Sequence, residues 1–276
     1  MNIKLLNKLK NRYNLTKNIT IFLFKYFFRL HKSKRDESIF IFTFHKCASS
    51  FIPDLAELLS KNSYLRHIDY EQAAWHLGDW VNLQESIYNY LNKNYYYFFN
   101  KKGNIYAPLR FSPSDELEIF IKSNPKILFL RDPRDVAISA YHSFGKTHPL
   151  PKSNISRKSF LERRKRINYL GINDFSLEFL RDTVMPVYKE YAKLKKDNQN
   201  LLYIKYEDFA LDVKGTIQEV ISFLKLRVDD FDLDNLANKA SPITDKVNTK
   251  GHKRSGKPNQ YLEILDKELI DLLTKE

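Results

Sequence analysis

The sequence predicts an α/β fold, three layers deep, with a central parallel sheet covered by helices on both faces. Three observations predict it. Short apolar, β-prone runs alternate with helical patterns along the chain, the order that parallel sheets require. The clearest of those runs lack strict alternation, as expected of strands buried on both faces. The chain has 276 residues, 43% hydrophobic and 29% charged, enough for one large domain with its own core.

Residues 1–35 form a basic, aromatic-rich segment, and 36–276 form the folded domain. Ser38 to Phe44 reads as the first buried strand, and Ser50 to Ser60 as a helix with Leu55, Leu58 and Leu59 on one face. Residues 64–100 are aromatic-rich and read as mostly helical. Ile105 to Leu109 is a short strand, Pro113 to Ile121 a helix, and Lys126 to Leu130 a second clear buried strand that runs into a turn and a helix. Asp174 to Lys195 is a long helix, Leu201 to Lys205 a third clear strand, and Leu211 to Leu224 and Lys267 to Leu273 are helices. No internal repeat or low-complexity linker is visible.

The net charge is +13, yet it is unevenly placed. Ten Lys or Arg and no acidic residue fall in 1–35, which leaves 36 basic against 33 acidic residues for the remainder. A nucleic-acid-binding domain spreads its basic residues over a folded surface, so nucleic acid is not an expected partner. The apolar run Ile19 to Leu30 is broken by Lys25 and Arg29 and is shorter than the about 20 residues of a spanning helix. Two readings of the segment stand: a helix packed on the domain, or a helix lying on an anionic membrane surface. The single cysteine, Cys47, allows no intrachain disulfide and fits a reducing compartment. The expectation is a cytoplasmic protein, peripheral on a membrane's inner face if the second reading holds. No His, Asp or Glu cluster has metal-ligand spacing, so no metal is expected.

Two strand-to-helix turns carry the chemistry. The first, His45-Lys46-Cys47-Ala48-Ser49-Ser50-Phe51, sets a lysine and small residues before a helix start, where backbone N–H groups and the helix dipole favour an anion. Ser49 and Ser50 suit either helix capping or phosphate contact. The second turn is Arg131-Asp132-Pro133-Arg134-Asp135, running to Ser139. Asp132 suits the N-cap, Pro133 the first helical position and Asp135 the third. Arg131 and Ser139 are left over, and a second bound anion would account for them, as would a salt bridge and a small packing residue.

These turns resemble those of the sulfotransferases that use 3′-phosphoadenosine 5′-phosphosulfate (PAPS). Lys46 with Cys47-Ala48-Ser49-Ser50-Phe51 resembles the family's 5′-phosphosulfate loop. Arg131 to Asp135 with Ser139 and Tyr141 resembles its 3′-phosphate motif. Tyr206-Glu207-Asp208 resembles its Tyr-Glu-Asp segment, and Arg254-Ser255-Gly256, continuing to Tyr261, its nucleotide-closing loop. The resemblance covers about residues 38–265 and implies a fold related to the phosphate-loop nucleotide kinases. It also implies roles: Cys47 to Phe51 on the 5′-phosphosulfate, Lys46 on the departing oxygen, and Arg131, Ser139, Arg254 with Gly256, and the neighbouring Ser255, on the 3′-phosphate. Phe51 stands where many members have a tryptophan stacked on adenine, and Tyr206 matches a tyrosine near the adenine edge or is a core tyrosine.

The general base departs from the family pattern. The stretch Tyr106-Ala107-Pro108-Leu109-Arg110 lacks the histidine of many cytosolic members. Glu71 is the candidate, by resemblance to glycan-modifying members, with His67 and Asp69 as rivals. Arg110 suits an acidic acceptor or a carboxylate partner, and His142 a structural place. The acceptor walls are expected in 60–110 and 144–172, from Tyr64, Trp75, Trp80, Tyr95 to Tyr97 and the basic run Arg157 to Arg166, which suit a glycan, a glycolipid or a phenol. Cys47, beside Lys46, is expected to have a lowered thiol pKa and to react with thiol reagents unless nucleotide protects it. A kinase-like nucleotide-binding protein that does not use PAPS, and a membrane- or RNA-binding protein acting through its tail, are the alternatives.

Overall fold

The computed structural model describes residues 37–48, 50–72, 88–151, 154–240 and 256–275. Five parallel strands form one sheet in the order β2-β3-β1-β4-β5. They are β1 (Ile39–Thr43), β2 (Arg66–Ile68), β3 (Asn104–Leu109), β4 (Lys126–Leu130) and β5 (Leu201–Lys205). Every residue of β1, β3 and β4 is buried, as their continuous apolar runs require. The helices are α1 (Phe51–Ser63), α2 (Tyr95–Phe98), α3 (Asp115–Phe120), α4 (Pro133–His142), α5 (Asn154–Phe179), α6 (Met185–Asp197), α7 (Tyr206–Leu211), α8 (Val213–Phe223), α9 (Asp230–Ala240), α10 (Tyr261–Ile264) and α11 (Lys267–Lys275). The predicted α/β architecture with a central parallel sheet is therefore the one observed.

Strand order fixes where a ligand can bind. The chain leaves β1 toward β2 on one side and leaves β4 toward β5 on the other. The sheet thus reverses direction between β1 and β4, and such a switch opens a crevice at the carboxyl ends of the two strands. Thr43, the last residue of β1, fastens the crevice floor: its hydroxyl donates to the Phe129 carbonyl of β4 at 2.8 Å.

Three points differ from expectation. The described residues of 64–100 are mostly helical, as expected, but the unexpected edge strand β2 also falls there. The long helix starts twenty residues earlier than Asp174, at Asn154. It is broken at Gly171, where φ is 76°, a left-handed value that a residue with a Cβ adopts only under strain. It is continued past Phe179 by a π turn, Leu180–Val184, into α6. Helix α9 was not expected; Leu233 and Leu236 are its buried residues, too few to show a stripe. The basic segment 1–35 lies outside the described residues. Among the described residues no helix is long and apolar enough to cross a membrane.

Candidate functional site

The turn after β1 is bent by non-glycine residues in left-handed conformations, Lys46 at φ 68° and Ala48 at φ 51°. Each costs about 1–3 kcal/mol, a strain found mostly where a site needs it. The bend has a consequence. Among the described residues the N–H groups of Lys46, Ala48 and Ser50 meet no backbone carbonyl, whereas those of Phe51 and Ile52 are taken up by the Ala48 carbonyl. Such alternation of backbone conformation makes a concavity suited to an anion. Ser50 is the exposed N-cap of α1, and its hydroxyl makes no cap bond. Ser49 lies outside the described residues.

The side chains there are strongly cationic. Burial pulls the Lys46 pKa down to about 8, and Arg110 and then Arg131 press it the same way. His45 is held well below its usual pKa by burial, with Arg110, Lys46, Arg163 and His148 adding to the effect. Positive groups are thus gathered from the ends of β1, β3 and β4.

Arg131 ends β4 with 6% of its surface exposed. Its Nη2 donates to the Asp135 carboxylate at 3.1 Å and to the Lys257 carbonyl at 3.0 Å, and the guanidinium lies 4.4 Å from the Tyr206 ring centroid. Its Nε is buried and has no hydrogen-bond partner among the described residues. A buried donor left unmet costs free energy, and a bound anion would satisfy it. Ser139 lies one helical turn beyond Asp135 on α4 and is part-exposed. Arg131 thus has the salt bridge that one sequence reading expected, and a buried donor to spare.

The second turn is capped differently from expectation. The Asp132 carboxylate accepts from the Arg134 N–H, as an N-cap should. Asp135, at the third position, does not reach back to the N-cap. It accepts from the Tyr261 N–H at 3.0 Å instead, and Glu207 accepts from the Asp132 N–H at 2.9 Å. The Tyr206 hydroxyl donates to the Gly256 carbonyl at 2.8 Å, with Gly256 at φ 63°. Arg131, Asp135, Tyr206 and Glu207 therefore bind the β4 end, the β5 end and the returning C-terminal segment into one unit. Tyr206 is 5% exposed and serves that closure. Arg254 and Ser255 lie outside the described residues.

Glu71 is brought to this site by Arg110. The two are ion-paired, each 13% exposed, and Arg110 in turn acts on Lys46. Its rivals are committed elsewhere. His67 Nε2 hydrogen-bonds to the Ala107 carbonyl at 2.8 Å, and the Asp69 carboxylate accepts from the Glu71 and Gln72 N–H groups. Both line a cleft of about 600 Å³ with Glu57, Lys61 and Asp232, beside α1, β2 and α9. Tyr96 and Tyr97 are exposed and precede β3 at the amino end of the sheet, near Lys101, whose carbonyl meets the Ser38 N–H. They are not walls of the site. Trp75 and Trp80 lie outside the described residues. His142 ends α4, with its ring edge-on to that of Tyr141 at 5.4 Å between centroids.

Two further expectations change. Cys47 is 0% exposed, and burial pushes its thiol up to about 11, more than Arg131 and a hydrogen bond with Tyr188 can offset. Burial and the raised pKa both disfavour the thiolate, which is the reactive form. Thiol reagents at pH 7 should label native protein far more slowly than unfolded protein, with or without nucleotide, as intact mass would show. Rapid native labelling would contradict this. Phe51 is 3% exposed, its ring 4.4 Å from Phe209 and 6.1 Å from Phe129 by centroids, so it is anchored in the core.

Sequence reasoning missed two tyrosines of α6. The Tyr188 hydroxyl donates to the Arg131 carbonyl at 2.8 Å, and that of Tyr191 to the Thr43 carbonyl at 2.7 Å. They hold the ends of the two strands that flank the crevice. Their i, i+3 spacing marks one helix face, but nothing in the sequence says which carbonyls that face meets.

Comparison with known proteins identifies the family and the fold. The family model for the sulfotransferase domain matches residues 36–267. The chain is 25% identical over 224 residues to mouse sulfotransferase 2B1, covering 78% of this chain and 58% of that protein. It is 26% identical over 206 residues to rat sulfotransferase 2A6, covering 72% and 64%. It thus spans about three fifths of the length of these curated relatives. Among solved structures it resembles retinol dehydratase in complex with androsterone and the inactive cofactor PAP, with TM-score 0.54, 17% identity, and 86% and 78% of the two chains covered. Mouse sulfotransferase SULT7A1 complexed with PAP gives TM-score 0.53 and 17% identity, covering 88% and 84%. These structures establish likeness of fold.

Proposed function

The chain belongs to the sulfotransferase family, and on that premise we propose that it moves a sulfuryl group from PAPS to a hydroxyl or amine of an acceptor. One observation carries the reading. The ends of adjacent strands β1 and β4 each present a cationic anion-binding element, Lys46 with its bent turn and Arg131 with its spare buried donor. A donor with a 5′-phosphosulfate and a 3′-phosphate needs two such places; a nucleotide with phosphates at one end needs one.

The residues fit that donor as follows. The N–H groups of Lys46, Ala48 and Ser50 in the turn from Lys46 to Phe51, and the Ser49 and Ser50 hydroxyls, hold the phosphosulfate. Arg131 and Ser139 hold the 3′-phosphate, with Arg254, Ser255 and Gly256 of the C-terminal segment closing over it. Tyr206 holds that segment. The acceptor oxygen bonds to sulfur as the bond from sulfur to the bridging oxygen breaks, leaving 3′,5′-ADP. Lys46 offsets the charge that builds on the bridging oxygen. Glu71 takes the acceptor proton, oriented by Arg110. No metal is assigned a role.

The acceptor in this reading is a glycan or glycolipid, because the basic segment 1–35 suits an acceptor assembled at a membrane surface. Residues 1–35 place the enzyme at an anionic membrane surface on the cytoplasmic side. Incubation with sulfur-labelled PAPS and a pool of hydroxyl-bearing oligosaccharides, steroids and phenols tests the reaction. Label should move to at least one acceptor with stoichiometric 3′,5′-ADP. ATP turnover without any use of PAPS would favour the kinase-like alternative.

A further inference from the structure

The end of the sheet opposite the crevice carries a surface that the reaction does not use. Tyr96 and Tyr97, just before β3, are 73% and 72% exposed, and Ile119, near the end of α3, is 72% exposed. They belong to one patch. The Tyr96 ring lies 5.9 Å from that of Tyr97 and 6.5 Å from that of Phe120, by centroids. The Lys101 ammonium stands 4.7 Å from the centroid of the same Phe120 ring, and the Lys122 N–H donates to the Ile119 carbonyl at 3.3 Å. Lys101, Lys102 and Lys122, on the turns beside the rings, are all exposed. Apolar residues exposed singly are ordinary, but a contiguous patch flanked by charge marks a contact surface.

The basic segment joins the domain at this same place. Residues 1–35, with ten Lys or Arg and no acidic residue, lead toward β1. Just before β1 the Ser38 N–H donates to the Lys101 carbonyl at 2.8 Å. Asn124 Nδ2 donates to the carbonyls of Ser38 and Lys101 at 2.9 and 2.8 Å. The entry point of the segment is thus stitched to the lysine that stands over Phe120.

Charge decides what covers the patch. The basic segment folded back onto it, or a second copy bringing the same lysines, would set like charges together. The nearby carboxylates do not reverse this. Glu37 sets one exposed carboxylate against the three lysines. Glu118 accepts from Asn198 at 2.8 Å, and Asp115 and Glu116 stand in the first turn of α3, at the other end of that helix from Phe120. Tyrosine rings with a polar tip, flanked by lysines, suit the boundary of an anionic bilayer.

We propose that this amino-end surface rests on an anionic membrane, so that the folded domain and residues 1–35 meet the same bilayer. The crevice lies at the other ends of the strands, about 15 Å away across five residues of β1 or β4, and opens away from the bilayer. An acceptor anchored there must project about that far, as a glycan chain does. This deepens the membrane reading of residues 1–35 and rests on it.

The test is flotation of the full chain with vesicles of phosphatidylcholine alone and with added phosphatidylserine, at low and high salt. The chain should float with the phosphatidylserine vesicles, and less so as salt is added. Lys101→Gln/Lys102→Gln should weaken that binding by about tenfold or more, since each lysine near an anionic surface contributes about fivefold. Tyr96→Ser/Tyr97→Ser should weaken it by about tenfold. Affinity for 3′,5′-ADP should be unchanged in both variants, a control that they fold. In the parent, phosphatidylserine vesicles should slow hydrogen exchange in 95–102 and 119–122 and leave 133–139 unchanged. Variants that bind as the parent does, equal flotation with both kinds of vesicle, or binding without slowed exchange in 95–102 would overturn the proposal. Variants that shift the sedimentation coefficient without vesicles would assign the patch to a second copy and overturn it too. No binding of the parent to either vesicle would instead remove the membrane reading beneath it.

Discussion

Lys46→Met is expected to lower kcat by about 10²–10³-fold, the usual loss when one preorganised group facing developing charge is removed. Lys46 follows β1, in a turn whose strain and unmet N–H groups already point to an anion. Methionine keeps the apolar stem and removes the charge. Because burying that charge costs free energy, the variant should fold at least as stably as the parent. The pH dependence gives an independent signature. The Lys46 pKa is depressed to about 8, so the free protein loses this charge as pH rises through about 8. Affinity for 3′,5′-ADP should be level below that pH. Above it, affinity should fall by up to about tenfold per pH unit, until the higher pKa of the nucleotide-bound lysine is passed. The fall should vanish in Lys46→Met. An unchanged profile in the variant would assign the pH dependence to another group.

Glu71→Gln is expected to lower kcat by about 10²-fold or more, within the range for loss of a positioned base. A purely structural Glu71 would predict something different. Its removal would free Arg110 beside Lys46, disturb the anion site and weaken nucleotide binding. A base role predicts that affinity for 3′,5′-ADP is kept while kcat falls and the acidic limb of the pH–rate profile disappears. Nucleotide affinity and the pH–rate profile together separate the two. Loss of nucleotide affinity with an intact acidic limb would return Glu71 to a supporting role for Arg110.

The parts of the fold that could be read from sequence are those whose burial is uniform. Strands β1 and β4 are apolar on both faces, so five consecutive buried residues announce each of them. Strand β2 is Arg-His-Ile with two half-exposed residues at the sheet edge, and three such residues carry no periodic signal. The first half of α5 is hidden by its own charge, because buried Phe160 and Ile167 are spaced too widely to form a stripe. In the site, Lys46 and Arg131 were legible because each lies in the turn after a clear buried strand, Arg131 directly and Lys46 after Phe44 and His45. Cys47 was misjudged because its positive neighbours are visible in sequence, whereas its complete burial is a tertiary property. The Arg110–Glu71 pair joins residues 39 positions apart, and Tyr188 and Tyr191 act through carbonyls more than 50 residues away. Side-chain type and spacing do not encode such meetings.

The central claim is that Arg131 and Lys46 form two anion sites for one nucleotide. Calorimetric binding of 3′,5′-ADP against 5′-AMP, for the parent and Arg131→Ala, tests it most directly. Arg131→Ala/Asp135→Asn should be measured alongside, because Arg131→Ala alone leaves a buried carboxylate without its cation. The account predicts that the parent prefers 3′,5′-ADP by about 10–100-fold, as expected of charge-assisted contacts to one phosphate. Both variants should bind it only as well as 5′-AMP. Equal, weak binding of the two nucleotides by the parent would mean that no 3′-phosphate site exists, and would contradict the account.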